Sequence, residues 1–483
     1  MQGVQREHVQ PRGWKVVITV AMFWVAAAQA QIFTPLADFS SATGGGPGAP
    51  PIQGLDGKLY GTAGSSGPKG RGTLYSATTS GTLSDIFTFC KVSTCPTGAG
   101  PYLSLLQTSD GSFFGFTLEP LVTTENGTIF KLSPGGGARN LHTFCPSVCT
   151  DGQSPRGNLI QARNGYLYGT TNAGGTGAAN PGTIFKLTTG GTLTTVYNFC
   201  QLANCADGEN PLGYGSLIQA SDGNLYGATR NGGAHGNGTI YQLSLTGTLK
   251  TIYKFCKSGG CTDGAHPVGL VQGLDGDFYG VTTSGGANGY GEVFKMTSHG
   301  GLTVLHSFCS QTNCTDGSGP TGLLLGSDGN FYGATANIGS NGAVPNNIYQ
   351  IKPAGAFTVL YSTDLNTETG VLSLMQATDG NFYGTYSIGG ASNLGTFFKL
   401  STGLGPFVRA LRPYGAIGQT ATILGTGLTG STAVTFNGTP AATFTVVSDS
   451  EITAVVPAGA TTGSLQVVTP GGTLSNTVGF QVF

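Results

Sequence analysis

Residues Leu217–Cys261 read LIQASDGNLYGATRNGGAHGNGTIYQLSLTGTLKTIYKFCKSGGC, and their central pattern Asp-Gly-x-x-Tyr-Gly, or a close variant, recurs seven times in the 483-residue chain. Successive copies begin 54, 54, 58, 53, 53 and 51 residues apart. The first residues of the copies, here called the repeat-turn residues, are Asp56, Asp110, Asn164, Asp222, Asp275, Asp328 and Asp379. A fixed period of this length with strand-like content is typical of a β-propeller.

Each unit contains four short runs of β-forming residues. In the quoted copy the runs are Leu217–Gln219, Leu225–Thr229, Thr239–Leu243 and Leu249–Phe255. Asp222-Gly223 predicts a tight turn between the first two, because Gly accepts a positive φ and Asp hydrogen-bonds its own backbone. Nearly uncharged strands form a sheet that needs cover on both faces, and radial packing of successive sheets provides it. The sequence therefore predicts an all-β fold, with a seven-bladed β-propeller of four-stranded blades over residues 31–405.

The two ends of the repeat region predict how the ring closes. The fourth run of a unit typically ends in Phe, at Phe89, Phe144, Phe199, Phe255 and Phe308. A solitary copy of that run occurs at Ile32–Phe39, whereas the seventh unit reaches its third run at Thr396–Leu400 and then changes character. We therefore expect Ile32–Phe39 to supply the missing fourth strand of the seventh blade.

Residues 1–30 have the features of a secretory signal peptide. Three basic residues, Arg6, Arg12 and Lys15, precede a 13-residue apolar run, Val16–Ala28, and an Ala-Gln-Ala sequence follows at its end. Thirteen residues are too few to span a bilayer, so a membrane anchor is disfavoured. The prediction is cleavage before Gln31 and a mature protein that is secreted or held at the cell surface, with no membrane span.

All ten cysteines follow the predicted cleavage site, in five close pairs. The pairs are Cys90/Cys95, Cys145/Cys149, Cys200/Cys205, Cys256/Cys261 and Cys309/Cys314. Paired spacing in an exported chain predicts five local disulfides. A zinc site would need two pairs to converge, yet each pair lies in a different repeat. The pattern therefore favours structural disulfides, and neither a metal site nor a cofactor is predicted.

A second turn motif follows four of the cysteine pairs, at Asp151-Gly152, Asp207-Gly208, Asp263-Gly264 and Asp316-Gly317. Repeated acidic turns can hold calcium, which takes six to eight oxygen ligands. One carboxylate per motif is few for that purpose, so a turn that leads the chain into the next inner strand is the favoured interpretation. Calcium binding remains open at this point.

From Pro406 to Phe483 the pattern changes to a second domain. Six alternating β runs are separated by turn signals, at Thr420–Leu424, Ala433–Phe436, Ala442–Val447, Ile452–Val456, Leu465–Val468 and Val478–Val482. A segment of this length and strand count predicts a small β-sandwich.

Two family resemblances are carried by these motifs. The DGNLYGTT…GTIFKL…TTVYNF units resemble the GloVer tandem repeats of exported bacterial proteins over roughly residues 45–402. The C-terminal segment is similar to an IPT/TIG immunoglobulin-like domain in VTFNGTPA at Val434–Ala441 and GSLQVVTPGG at Gly463–Gly472. The resemblance implies a spacer or adhesive module. Neither family supplies a catalytic motif that maps onto this chain.

Composition narrows the range of partners. Charged residues make up 9% of the chain and the net charge is −1, and residues 406–483 contain only two arginines, so nucleic-acid binding is not expected. Six acidic residues outside the turn motifs are spread over several repeats, and we treat them as the candidates for acid–base chemistry: Glu119, Glu125, Glu209, Asp277, Glu292 and Glu368. A glycosidase would need two of them to converge.

Three functions are compatible with the sequence. The favoured hypothesis is a monomeric, noncatalytic binding or adhesion protein for glycans or cell-envelope polymers, with Tyr214 or Tyr290 as exposed aromatic contacts. The alternatives are a structural surface or matrix protein and a propeller-type carbohydrate-active hydrolase or lyase. An axial cleft with two converging carboxylates would favour the enzyme, and an axis without a pocket would favour the structural role.

Overall fold

The architecture is described from a computed structural model, which covers residues 31–90, 95–119, 127–145, 148–176, 180–211, 217–257, 259–336, 344–363 and 368–483. The predicted signal peptide lies outside the described residues. The described chain is all-β apart from two short 3₁₀ turns at Ala203–Cys205 and Thr312–Cys314. No helix in these ranges is both long enough and apolar enough to cross a membrane.

Seven blade-like sheets contain the repeats, and we number them in chain order. Strand β1 is Ile32–Asp38. Sheet 1 consists of β2 Ile52–Gln53, β3 Leu59–Ala63, β4 Thr73–Ala77 and β5 Leu83–Thr88. Sheet 2 consists of β6 Ala99–Pro101, β7 Leu106–Gln107, β8 Phe113–Glu119, β9 Thr128–Leu132 and β10 Ala138–Thr143. Sheet 3 consists of β11 Gln153–Gln161, β12 Leu167–Ala173, β13 Thr183–Leu187 and β14 Leu193–Asn198. Sheets 4 and 5 consist of β15 Leu217–Gln219, β16 Leu225–Thr229, β17 Thr239–Leu243 and β18 Leu249–Lys254; and β19 Ala265–Gln272, β20 Phe278–Ser284, β21 Glu292–Met296 and β22 Leu302–Ser307. Sheets 6 and 7 consist of β23 Pro320–Leu325, β24 Phe331–Thr335, β25 Asn347–Ile351 and β26 Phe357–Ser362; and β27 Glu368–Gln376, β28 Phe382–Gly389 and β29 Thr396–Ser401.

Sheet 4 tests the strand assignment made from the quoted repeat. Its first three strands have the predicted bounds, and the fourth ends at Lys254, one residue before the predicted Phe255. Phe255 instead lies fully buried at the end of that strand, in an apolar cluster with Phe294 of sheet 5. The aromatic endings of the fourth runs therefore fill the space between neighbouring sheets.

Strand β1 joins the beginning of the chain to its seventh sheet. It pairs antiparallel with β29, from Ile32 opposite Ser401 to Asp38 opposite Thr396. Phe39, which follows, is fully buried in a cluster that also contains Tyr75 of sheet 1 and Tyr383 of sheet 7. The sequence therefore identified both the spare strand and its pairing partner.

A repeated glutamine contact links neighbouring sheets at the ends of their first strands. The side-chain oxygen of Gln219 in sheet 4 accepts from the backbone N–H of Arg163 in sheet 3, at 2.9 Å. Gln53 of sheet 1 makes the same contact with Thr378 of sheet 7, also at 2.9 Å, across 325 residues of sequence. Sheets 7 and 1 therefore meet through the same hydrogen bond as two sequential sheets.

The C-terminal module, residues 406–483, encloses a separate apolar core that contains Val408, Ile423, Ile452 and Phe480. One four-stranded sheet has the order β30-β32-β36-β35, a second has the order β34-β33-β37-β38, and β31 pairs parallel with β39. Their bounds are β30 Arg409–Ala410, β31 Tyr414–Gly415, β32 Thr420–Leu424, β33 Ala433–Phe436, β34 Thr439–Pro440, β35 Phe444–Val446, β36 Glu451–Val455, β37 Leu465–Thr469, β38 Gly472–Ser475 and β39 Gln481–Val482. The six predicted strands are present, β32 and β33 with the predicted bounds and the other four with shifted ends, whereas β30, β31, β34 and β38 were not predicted.

The module packs against the end of the repeat region where the repeat-turn residues lie. Ser450 Oγ donates to the carbonyl of Leu55 at 2.7 Å, and Thr477 Oγ1 donates to the carbonyl of Ser327 at 3.1 Å. Further hydrogen bonds join Thr426 to Thr378 at 2.8 Å and Arg412 to Ser109 at 3.2 Å, and one joins the hydroxyl of Tyr414 to the carbonyl of Gln161. These contacts reach sheets 1, 2, 3, 6 and 7. The module therefore covers the turn end of the repeats off-centre, on the side away from sheets 4 and 5.

Five local disulfides are present, with four or five residues of sequence separation, so the predicted pairing is confirmed. The bonded pairs are Cys90–Cys95, Cys145–Cys149, Cys200–Cys205, Cys256–Cys261 and Cys309–Cys314. They lie at the opposite end of the sheets from the module, beside the Gly-rich loops, and no described cysteine is free.

The two cysteines of a pair can differ in burial, which the sequence did not predict. Cys90 and Cys145 are buried directly after the Phe that ends the fourth run, whereas their partners Cys95 and Cys149 are half-buried. The first cysteine continues an outer strand into the apolar space between sheets, and the second belongs to the loop beyond it. These disulfides therefore fasten a surface loop to the edge of the core within one repeat.

Candidate functional site

The repeat-turn residues build a rigid rim under the module. In sheet 4, Asp222 Oδ1 accepts from the backbone N–H of Asn224 and Oδ2 accepts from the hydroxyl of Tyr226, both at 2.9 Å. Burial alone would raise the pKa of Asp222, but hydrogen bonds from Asn224, Tyr226 and Gln242 hold it below its usual value. The Tyr of the repeat motif is therefore the hydrogen-bond donor that fixes the turn carboxylate, a role that sequence reasoning missed.

An open cleft, here called the junction cleft, lies between the module and the turn of sheet 3. It has a volume of about 390 Å³ and is lined by Arg163, Asn164, Gly165, Leu411, Arg412, Tyr414, Gly415, Gln419, Thr420, Ala421, Thr422 and Phe483. Phe483 is 54% exposed. Two arginines and no aspartate or glutamate line this cleft, so its side chains are cationic in a chain that is otherwise almost neutral.

The half-buried Tyr414 fixes one wall of the junction cleft. Its hydroxyl donates to the carbonyl of Gln161, and burial raises its pKa to about 12, so the phenol is neutral at physiological pH. The ring of Phe483 lies 6.4 Å from that of Tyr414, between ring centroids. The cleft therefore combines two cations with two neighbouring aromatic faces, which suits an anionic ligand with flat apolar faces.

A second cavity of about 490 Å³ lies beneath the module, between it and the inner strands of sheets 1, 2, 3, 6 and 7; we call it the axial cavity. Its lining residues are Pro50, Pro51, Ile52, Ser104, Leu105, Asn158, Leu159, Ile160, Leu324, Leu325, Ser327, Leu374, Met375, Gln376, Phe407, Arg409, Ala410, Pro413, Asn476, Thr477 and Val478. The walls are mainly aliphatic, and Arg409 is the one charged residue among them. The sequence did not identify Arg409, because its surroundings come from five separate repeats.

Comparison with known proteins identifies the family of the repeats. The profile of the Gloeobacter/Verrucomicrobia repeat matches residues 21–175, 86–262 and 257–446, which together span most of the chain. The chain belongs to this repeat family. No curated protein matches this repeat protein by sequence.

Solved structures resemble this repeat protein only distantly. A luciferin-regenerating enzyme is 15% identical, with 63% of this chain and 92% of that chain covered and a TM-score of 0.40. A protein of unknown function from Bacteroides thetaiotaomicron is 13% identical, with 77% and 76% covered and a TM-score of 0.41. Nothing about the activity of this repeat protein follows from these matches.

The acidic residues proposed for acid–base chemistry do not form a site where the structure describes them. Asp277 lies at the turn end of sheet 5, 3.1 Å from Lys295, and Glu209 lies in a loop that bridges to Asn231. Glu292 is fully buried at the start of β21. Glu125 and the side chains of Glu119 and Glu368 lie outside the described residues. No converging pair is therefore found among the three that can be placed.

The second turn motif is held by hydrogen bonds of its own. Asp207 accepts from the hydroxyl of Tyr197 at 2.8 Å and from two backbone N–H groups, and Asp316 accepts from His306 Nε2 at 3.1 Å. His142 makes the same contact with Asp151 at 2.7 Å. These arrangements support the turn interpretation, and they give each of the two histidines a hydrogen-bond partner.

The one cluster with metal-ligand spacing among the described residues is Cys200, Cys205 and Glu209. The two cysteines are joined in a disulfide. A disulfide sulfur is not a thiolate, so this cluster does not supply the ligands that a soft metal requires.

The aromatic contacts proposed from sequence are not the ones at the cleft. Tyr290 is half-buried and packs against the apolar cluster of Tyr279 and Phe308, so the expectation of an exposed platform there was wrong. Tyr214 lies outside the described residues. No sequence signal marked Tyr414 and Phe483, because their position beside sheet 3 depends on how the module docks.

Proposed function

We propose that this repeat protein is an exported, noncatalytic binding protein that retains an acidic polysaccharide of the cell envelope in the junction cleft. The observation that carries the proposal is the pairing of Arg163 and Arg412 with the rings of Tyr414 and Phe483 in one open cleft that no aspartate or glutamate lines. Guanidinium groups bind carboxylates with two parallel hydrogen bonds, and aromatic rings pack against the apolar faces of sugars.

The proposed scaffold is a closed seven-bladed propeller with an immunoglobulin-like module. Support comes from the β1–β29 pairing and from the Gln53–Thr378 hydrogen bond between sheets 7 and 1. Five disulfides are consistent with an oxidising compartment, as expected after removal of residues 1–30. A ring joined at both ends holds the turn of sheet 3 at a fixed distance from the docked module.

Binding without turnover is the function that these sites support. Glycoside hydrolysis needs two carboxyl groups roughly 5–10 Å apart across the scissile bond. Neither the junction cleft nor the axial cavity has an aspartate or glutamate among its described lining residues. A pocket on the axis also argues against a purely structural role.

The test is retention of polysaccharides by the mature chain, residues 31–483. We expect an immobilised polyuronate to retain the protein at low salt and a neutral glucan to retain it at least tenfold more weakly. The double variant R163Q/R412Q should lose at least tenfold in polyuronate affinity. Arg139→Gln is the matched control, because Arg139 is exposed on the outer strand β10.

Three results would contradict the proposal. Equal retention of the polyuronate by wild type and R163Q/R412Q would remove the junction cleft as the binding site. Oligosaccharides released during long incubation would make the protein an enzyme, and no retention of any polymer would favour the structural alternative.

A further inference from the structure

One wall of the axial cavity is made of apolar side chains. Leu105, Leu159 and Met375 are buried there, and Ile52, Leu324 and Leu374 are partly exposed to the cavity. These residues come from the inner strands of five sheets. The module contributes the facing residues Phe407, Arg409 and Pro413, and the cavity between the two surfaces remains open to solvent.

Arg409 brings a cation to this apolar space. It lies on β30, whose partner residue across the sheet is Leu424. Its guanidinium makes no hydrogen bond or ion pair with any described residue. The nearest carboxylate across the same sheet belongs to Glu451, which lies opposite Leu424 on β36. At the usual strand spacing its Cα is roughly 10 Å from the Cα of Arg409.

Desolvating the charged side chain of Arg409 without a counter-ion is unfavourable in free energy. The side chain is partly buried, and desolvation lowers its pKa to about 10. Its remaining exposure is to the cavity, which has room for water or a ligand. An anion in the cavity would supply the partner that the described protein residues do not provide.

A second polar group faces the same space. Asn158 lines the cavity from β11, and its side-chain amide can donate a hydrogen bond to an anion through Nδ2. Amide and guanidinium groups together can hold the head group of a single acid. The remaining wall offers apolar contacts.

We infer that the axial cavity binds a small amphipathic monoanion, with its acidic group at Arg409 and its apolar body against the leucine-rich inner strands. The volume of about 490 Å³ lies within the range of roughly 300–1,000 Å³ that is common for small-molecule sites. A polysaccharide does not suit this site, since the wall is mainly aliphatic. The inference is thus independent of the polymer-binding function of the junction cleft.

The experiment compares a charged probe with a neutral one of similar shape. Anilinonaphthalene sulfonate carries one negative charge, and N-phenyl-naphthylamine carries none. Both fluoresce on entering apolar sites, so titration of the full mature chain gives their affinities and stoichiometry. We expect one saturable site for each probe.

Arg409→Gln should weaken the sulfonate probe at least tenfold, equivalent to about 1.4 kcal/mol, and should change the neutral probe less than twofold. Arg409→Lys should keep most of the sulfonate affinity, because it retains the charge. The control Arg139→Gln should bind both probes as wild type. Far-UV circular dichroism and the urea midpoint establish that each variant is folded.

Competition identifies the natural source of the anion. Displacement of the bound sulfonate by decanoate indicates a free carboxylic acid, and displacement by phosphatidylglycerol vesicles but not by decanoate indicates a lipid. The inference is overturned if folded Arg409→Gln binds the sulfonate within twofold of wild type, or if wild type shows no saturable site.

Discussion

Sheets 4 and 5 have the same strand arrangement but different residues at one buried cross-strand pair. In sheet 4, Thr229 and Thr239 lie opposite each other on β16 and β17, and their hydroxyls are 2.8 Å apart. In sheet 5, Thr282 and Glu292 occupy the equivalent pair on β20 and β21. All four side chains are fully buried.

The threonine pair is satisfied and the glutamate pair is not. Thr229 Oγ1 also accepts from the backbone N–H of Thr239 at 3.1 Å. In sheet 5, Thr282 Oγ1 and both carboxyl oxygens of Glu292 lack a partner among the described residues, as does Oδ1 of the neighbouring Asp263. Burial, aided by the charge of Asp263, raises the pKa of Glu292 to about 8. The repeat scaffold therefore tolerates a buried acid by keeping it largely neutral at pH 7.

Placing a glutamate in the buried pair of sheet 4 should have the largest effect on the free energy of unfolding. Thr239→Glu replaces a satisfied hydroxyl with a buried carboxyl and should lower the free energy of unfolding by roughly 2–5 kcal/mol at pH 8. Urea unfolding followed by circular dichroism measures the change. Thr248→Glu, at an exposed turn position of the same sheet, is the control and should be nearly neutral. An equally small effect at Thr239 would show that the two sheets do not differ in this respect.

Removing the acid from sheet 5 should give a smaller change of opposite sign. Glu292→Thr restores the threonine pair and should raise the free energy of unfolding by roughly 1–3 kcal/mol at pH 8. Urea unfolding at that pH measures the gain. Glu209→Thr, in a partly exposed loop, is the comparison variant and should change the midpoint little. A loss of stability in Glu292→Thr would show that the buried acid has a partner that stabilises it.

The pH dependence follows from the raised pKa of Glu292. Between the ordinary glutamate pKa of 4.5 and about 8, the folded protein holds a proton that the unfolded chain has lost. The contribution of the neutral carboxyl is therefore fully present below pH 4.5 and is lost as the pH rises to 8, at up to about 1.4 kcal/mol per pH unit. Glu292→Thr should remove this slope from the urea midpoints between pH 5 and 8.5. A variant with the wild-type slope would assign the slope to another group.

Valine substitutions at Thr229 and Thr282 compare how much each hydroxyl contributes to stability. Thr229→Val should cost about 1–2 kcal/mol, because it removes a hydroxyl with three hydrogen bonds. Thr282→Val should be neutral or slightly stabilising, since the hydroxyl it removes has no partner among the described residues. Equal losses in urea unfolding at both positions would contradict the contrast between the sheets.

The smallest effect is expected at the turn end of the two sheets. Lys295 of sheet 5 lies 2.8 Å from Asp275, whereas the equivalent Gln242 of sheet 4 donates to Asp222 at 3.2 Å. Lys295→Gln should change the free energy of unfolding by less than about 1 kcal/mol, because the ion pair is exposed. The change should shrink further in 1 M salt. A larger loss that persists in high salt would show that the lysine has a packing role.

Much of the local architecture could be read from the sequence, because the repeat is a local signal. The strand bounds in sheet 4, the turn at Asp222-Gly223 and the five disulfides depend on residues within one unit. The unequal burial of Cys145 and Cys149 could not be read in this way, because it depends on the neighbouring sheet. The β1–β29 pairing was predictable, since a spare run and a missing run of the same type have one simple solution. Very short strands such as β30 and β34 carry little periodic signal, so the edges of the C-terminal module were less predictable.

The sequence by itself determined the repeated sheets and their order, although sheet 2 has five strands where four were predicted. The tertiary structure alone decided where the module docks, and with it both candidate sites. Arg409 and Leu324 line one cavity, and Arg163 and Phe483 line another, although each pair is far apart in sequence. The physical reason is that hydrogen bonds and apolar contacts within a repeat fix local geometry, whereas the surroundings of a side chain between two domains depend on all the surfaces that meet there.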